Sequence, residues 1–177
     1  NVKEQIEELE KHFPVWISDV NKLTDAYEMI EQIGIISNKE SKAKMLISHI
    51  KENFSQLQHS NSNPQTIYLI WQKPYMTVGG DTFIHSMIEA AGFQNIYANS
   101  TRYPEVTIEE LKAKNPDLII LSSEPFPFNQ KHIDELQVHL PTTKIVLADG
   151  EMFSWYGSRL IKAPAYFATV SEQIVRP

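Results

Sequence analysis

Three segments of the chain gather residue types suited to holding a ligand. The segment 149–160 (DGEMFSWYGSRL) places Met152, Phe153, Trp155 and Tyr156 close to Arg159. Aromatic faces, a polarisable thioether and one cation suit a large planar or greasy ligand. An ordinary core corner would be unusually rich with such a set. The segment 71–83 (WQKPYMTVGGDTF) is polar and aromatic and ends in Gly79 and Gly80. That pair either lets a ligand oxygen approach free N–H groups at a helix start or serves a tight turn that needs glycine. It lacks the spacing of a dinucleotide or phosphate-binding fingerprint. In 122–128 (SSEPFPF), Pro125 and Pro127 stiffen a loop carrying Phe126 and Phe128. Either the two rings form a binding edge, or one enters the core and the other is half covered.

Residues for bond-making chemistry are harder to find. His85 and Glu89 stand one helical turn apart and could share a metal, although such a pair is more often solvated. HExxH, GxSxG and CxxC patterns are absent, and cysteine is absent altogether, which removes disulfides, thiolate ligands and thiol nucleophiles. The carboxylates are spread over helix surfaces and form no acid–base dyad. No catalytic residue, metal ligand or cofactor is assigned.

The elements that would position these loops follow from periodicity. From Thr66 onward strands and helices alternate: strand 66–71, helix 81–92 opened by Asp81, a short strand 95–98, helix 107–114 with a Thr107–Glu110 capping box, strand 117–123, helix 129–140, strand 144–149, and mostly helix over 155–175. Such alternation predicts parallel strands covered on both faces, with the three segments at strand carboxyl ends, where open α/β sheets hold ligands. Upstream, Asn1 reads as a helix cap with Glu4 three residues on, and Val2, Ile6, Leu9 and Phe13 share a helical face. PVWISD (14–19) reads as a strand, and a helix follows that stops at Gly34. A Ser37–Glu40 capping box opens a long helix over 38–58, and the polar tract 58–65 looks like a boundary. The expected fold is α/β: a three-layer αβα C-terminal lobe over 66–177, the backbone helix 38–58, and in 1–37 a partial N-terminal lobe.

The 177 residues are 42% hydrophobic and 21% charged, the balance of a globular protein rather than a disordered one. The net charge of −6, with no long basic run, argues against nucleic acid or anionic membrane as partner. No apolar stretch approaches the roughly 18 residues needed to span a bilayer. The first residues are charged and helical in pattern, unlike a signal peptide.

The segments WQKPYMTVGGDTF, EAAGFQNIYA, RYPEVTIEEL, NPDLIILSSEPFPF and VLADGEMFSWYGSRL, in this order and spacing, resemble the class III periplasmic binding proteins. These are the vitamin B12-, haem- and ferric siderophore-binding components of ABC importers. The resemblance covers essentially the whole chain and implies two α/β lobes joined by a long helix, with ligand in the cleft between them. It implies ligand-facing positions at Trp16 in the N-terminal part and at Tyr75, Met76, Tyr103, Met152, Phe153 and Trp155 in the C-terminal lobe. Of these, Tyr75, Met76, Tyr103, Met152 and Trp155 should cluster in one crevice at the carboxyl edge of one parallel sheet. It also implies that Glu124 docks on an arginine of the membrane permease, so its carboxylate should stand exposed and unpaired. A counterpart in the other lobe would lie near or before Glu4.

The family's early N-terminal strands have no match here, so the chain is expected to be a fragment or a cut product. It should bind ligand weakly or not at all and self-associate through residues 1–37. The ligand is expected to be a metal chelate. A corrinoid fits better than a ferric catecholate, because Lys73, Arg102 and Arg159 are few cations for a strongly anionic guest; haem or a hydroxamate siderophore stays open. The implied location is periplasmic, or extracytoplasmic on a membrane anchor. The competing readings are a flavodoxin-like or nucleotide-dependent enzyme, which lacks its phosphate loop and base, and a structural or regulatory interaction domain.

Overall fold

A computed structural model describes residues 3–58 and 63–175. The expected cap at Asn1, the helical position at Val2 and part of the polar tract 58–65 lie outside these residues. The described elements run α1 (Lys3–Glu10), α2 (Leu23–Ile36), α3 (Glu40–Ser55), β1 (Gln65–Leu69), β2 (Tyr75–Met76), α4 (Phe83–Ala90), β3 (Gln94–Asn95) and β4 (Glu105–Val106). They continue with α5 (Ile108–Lys114), β5 (Leu118–Ser122), α6 (Gln130–His139), β6 (Lys144–Ala148), α7 (Glu151–Ser154), a 3-10 turn (Ser158–Ile161) and α8 (Ala163–Val175).

β3, β1, β5 and β6 form one parallel sheet in that order. Successive residues of a strand face opposite sides, and β1 shows this directly. Tyr68 and the following Ile70 enter one core with α2, α3, α4 and α8. Ile67 and Leu69 enter a second core with Leu111 of α5 and Leu136 of α6. The architecture is therefore three-layered, helices on both faces of a parallel sheet. β1 and β5 are buried at almost every position, which is why both read as continuous apolar runs.

Several local readings are corrected. Residues 14–19 form no strand, because strand geometry depends on a bonded neighbour and no described strand lies beside Val15 and Ile17. α2 does not stop at Gly34 but runs on to Ile36, with Gly34 buried inside it. A side chain there would press on Ala43 of α3, its Cβ only 2.5 Å from the Ala43 Cβ. Ser37 therefore closes α2 instead of opening α3: its N–H and its hydroxyl both donate to the Ile33 carbonyl, the hydroxyl at 2.6 Å. α3 starts behind Lys39, without a side-chain cap, and is shorter than the 38–58 expected. Thr82, not Asp81, caps α4, accepting from the His85 N–H. The strand expected over 95–98 ends at Asn95, whose side-chain oxygen captures the Tyr97 N–H at 3.0 Å and turns the chain. The Thr107–Glu110 box is present as read, and Asn129 caps α6, its side chain accepting from the Lys131 N–H.

The hairpin of α2 and α3 is not a separate body among the described residues. Val20, Ala26, Ile30, Ala43 and Ile50 belong to the same core as Tyr68, Met87 and Phe167. The Asn53 amide also donates to the Ile161 carbonyl at 2.8 Å, tying α3 to the 3-10 turn.

Candidate ligand-binding cleft

The sheet order decides where a cleft can form. From β1 the chain moves outward to β3, then returns to the other side of β1 to lay down β5 and β6. The chain thus leaves β1 and β5 in opposite directions, and the space outside their carboxyl ends is open. The loops after β1, β3, β5 and β6 converge there, and backbone bonds tie them together. The Phe126 N–H donates to the Ile70 carbonyl at 3.3 Å, and the Ser123 N–H to the Ala148 carbonyl at 2.9 Å.

The loop after β1 passes a cis peptide at Lys73–Pro74 and enters β2, which pairs antiparallel with β4. The ribbon brings 75–76 beside 105–106 and so places Met76 near Tyr103. Gly79 and Gly80 continue the contact, their N–H groups donating to Arg102 and Ser100 carbonyls at 2.7 and 2.9 Å. A Cβ on either would strike the carbonyls of Ser100 and Ala98. Of the two readings of this pair, close backbone approach within a turn is the one the structure shows.

A recess of about 530 Å³ opens at this point. Ile70 and Met76 line it from the β1 side, Ile84 from α4, Tyr103 from the loop after β3, Glu124 and Pro125 from the loop after β5, and Ser154 from the end of α7. Its wall is largely apolar with few polar groups, the usual constitution of a small-molecule site. Ser154 also borders a second recess of about 430 Å³ with Met29, Trp155, Tyr156 and Gly157. The groove between α2 and α3, of about 520 Å³, is rimmed by Glu28, Glu31, Lys44 and Lys51 and includes no residue of the strand-end loops.

The polar groups in the cleft are linked. The Glu124 Oε1 accepts from the Ser154 hydroxyl and from the Trp155 indole N–H, each at 2.8 Å. Arg159 is ion-paired with Glu151, and its guanidinium carbon stands 5.8 Å from the centre of the Trp155 ring. Beneath them the fully buried Tyr68 hydroxyl donates to Ser122 at 3.1 Å, and burial raises its pKa above the usual phenol value.

The structure distributes the expected ligand-facing residues unequally. Met76 and Tyr103 line the main recess, and Trp155, 50% exposed, borders the adjoining one. Tyr75 precedes Met76 on β2 and so points the other way, packing on the second core with its hydroxyl accepting from Gln72. Met152 is buried in the first core, and Phe153, at 0% exposure, lies between Tyr68 and Phe167 and presents no surface to either recess. Trp16 is exposed and donates its indole N–H to Gln32 of α2 at 2.8 Å. Glu124 departs from the free, unpaired rim carboxylate that was expected: it is half-buried and holds two donors. Phe128 is buried and Phe126 half-buried, stacked edge-on against Trp71 and His132. Ile70, Ile84, Pro125 and Ser154 were not anticipated, since apolar residues at a strand end or on a helix carry no local sign of lining a cavity.

His85 has Asn95 at 3.2 Å from its Nδ1, while Glu89 is exposed. No group of three or more His, Asp or Glu among the described residues is arranged to hold a metal ion, and no described helix is long and apolar enough to cross a membrane.

Comparison with known proteins adds a family. Residues 1–144 match the family model described as periplasmic binding protein. The vitamin B12-binding protein of Vibrio parahaemolyticus is 25% identical over 127 residues, which is 69% of this chain and 46% of that protein. An uncharacterised ABC transporter substrate-binding lipoprotein of Bacillus subtilis is 26% identical over 111 residues, 59% of this chain and 35% of that protein. The chain thus spans less than half the length of these relatives. The crystal structure of the periplasmic haem-binding protein of Vibrio cholerae superposes with a TM-score of 0.75 at 18% identity, covering 96% of this chain and 73% of the other.

Proposed function

The chain belongs to the periplasmic binding protein family, and from that premise we propose that it forms one wall of the ligand cleft of an extracytoplasmic substrate-binding component of an ABC importer. The cargo is a metal chelate, with a corrinoid favoured. The observation that carries this reading is the recess at the strand carboxyl ends, walled by Ile70, Met76, Ile84, Tyr103 and Pro125. Apolar and aromatic walls match the faces of a macrocycle. Arg159, one of the few cations near the cleft, is already paired with Glu151, which disfavours a strongly anionic ferric catecholate. The permease is the second partner in this reading. The exposed Phe13, Trp16 and Ile17 support association of residues 1–37 with another apolar surface, including that of a second copy.

Haem is the second reading, favoured by Met76 and Tyr103 in the recess, since thioether and phenolate are both axial ligands of haem iron. Titration with cyanocobalamin, haemin and a ferric hydroxamate, followed by chromophore absorbance and protein fluorescence, tests both. Saturable binding of cyanocobalamin supports the corrinoid, while a shifted haem band lost in Tyr103→Phe supports haem. Failure of all three chelates to bind saturably, both to this chain and to a version extended by a full N-terminal lobe, removes the transport reading.

A further inference from the structure

We propose that Glu124 is a positioning residue that holds the Trp155 indole as a fixed plate beside the recess, and that its charge sets this wall against anionic ligands. The inference rests on reading the recess as the chelate-binding wall, yet the device belongs to the ligand-free chain and is testable there.

A tryptophan that is 50% exposed has ordinarily several side-chain rotamers open to it. Trp155 is restrained on two sides. Its ring N–H donates at 2.8 Å to the Glu124 Oε1, a charge-assisted bond and so stronger than a neutral one. The Arg159 guanidinium lies by the ring and is itself anchored by Glu151. An edge and a face are both held, which fixes the plane of the ring.

Glu124 is held in its turn. Its N–H is 3.3 Å from the Ser122 hydroxyl oxygen, and that hydroxyl approaches its carbonyl at 2.5 Å. The stem lies so close to Gly150 that a Cβ there would be 2.5 Å from the Glu124 Cγ. Loops after β5 and β6 therefore clamp the carboxylate before it touches the indole.

The same arrangement has a charge consequence. Two carboxylates and one guanidinium surround Trp155: Glu124 accepts from its indole N–H, while Arg159, beside its ring, is paired with Glu151. Because Glu151 neutralises Arg159, the carboxylate on the recess wall has no cationic partner among the described residues. Its Oε2 has no hydrogen bond among them either, and stands available to an incoming donor. A guest with amide N–H groups gains from this wall, and one presenting carboxylates or catecholates is repelled.

The experiment uses the 177-residue chain with Trp16→Phe and Trp71→Phe, so that emission reports Trp155 alone. Quenching by iodide, caesium and acrylamide reads local charge and access in the absence of any chelate. Glu124→Gln keeps an oxygen acceptor and removes the charge. The emission maximum and acrylamide quenching should then stay as they are, while the iodide constant rises on the order of twofold relative to caesium, the effect of removing one nearby screened charge. Glu124→Ala removes both, so emission should shift to the red and acrylamide quenching should also rise. An unchanged iodide-to-caesium ratio in Glu124→Gln overturns the charge assignment, whatever the stability of the alanine variant. Gln and Ala variants that leave emission and acrylamide quenching alike unchanged overturn the positioning role. If the quenching behaves as expected while cyanocobalamin, haemin and the hydroxamate all fail to bind even a version extended by a full N-terminal lobe, the device stands and the transport reading falls.

Discussion

Phe153 and Trp155 are two residues apart and are used in opposite ways. Phe153 is fully enclosed, its ring 5.1 Å from Tyr68 and 4.6 Å from Phe167. Trp155 is half in solvent and tethered at its N–H. Phe153→Ala should therefore lower unfolding stability by about 3–5 kcal/mol, the cost of a large core truncation, measured by urea denaturation. Trp155→Ala should cost about 1 kcal/mol or less of stability, yet weaken chelate binding about tenfold by removing an aromatic wall. A reversed pattern, with Trp155 critical to stability and Phe153 to binding, would contradict these assignments. Tyr75 and Met76 make the same point on β2, where one step along the strand separates a side chain on the second core from one in the recess.

Helices α2 and α3 depend on a single small residue at their crossing. Gly34 has a negative φ, so it is not needed for its backbone freedom; it is needed because Ala43 occupies the space a side chain would take. Gly34→Val should push the two helices apart and cost about 1–3 kcal/mol, as overpacking does. Gly34→Ala should cost less, because one methyl is easier to accommodate and alanine favours the helix. Thermal unfolding of both variants checks the order; equal stability to the parent in the valine variant would remove the steric explanation. At α5 the cap is chemical rather than steric: the Thr107 hydroxyl accepts from the Glu110 N–H at 3.2 Å and Glu110 returns the bond at 2.7 Å. Thr107→Ala should cost about 1 kcal/mol by the same assay.

The described residues present the recess at the strand ends and several exposed apolar side chains. Leu9, Phe13, Trp16 and Ile17 are exposed near its start, and Ile33, Ile35 and Ile36 are exposed at the end of α2. Exposed apolar surface favours association, at roughly 25 cal/mol for each Å² covered. Sedimentation velocity across a range of concentrations should show reversible self-association, reduced by Phe13→Ser with Ile17→Ser. A monomer at every concentration would refute this. A ligand held by one wall leaves its other face in water, so cyanocobalamin should bind this chain only weakly, in the micromolar range or above, which titration calorimetry reads directly.

The layered α/β fold was legible because its signals are local. The continuous apolar runs of β1 and β5 and the Thr107–Glu110 box each report on residues within a turn or a strand of themselves. Periodicity also indicated that the aromatic loops follow strands, and hence at which end of the sheet a ligand would lie. The readings that failed are those settled by distant partners. Ser37 closes α2 because that helix runs past Gly34 to pack on Ala43, and Val15 and Ile17 form no strand because none lies beside them. Nothing local announces the order β3, β1, β5, β6, which determines the loops that become neighbours. Nor does it announce the pairing of β2 with β4 that sends Met76 inward and Tyr75 away. Glu124 and Trp155 are 31 positions apart, and the bond between them exists because two adjacent parallel strands end side by side. A pattern along the chain carries the burial of each residue; the identity of its neighbour across space is set when the sheet closes.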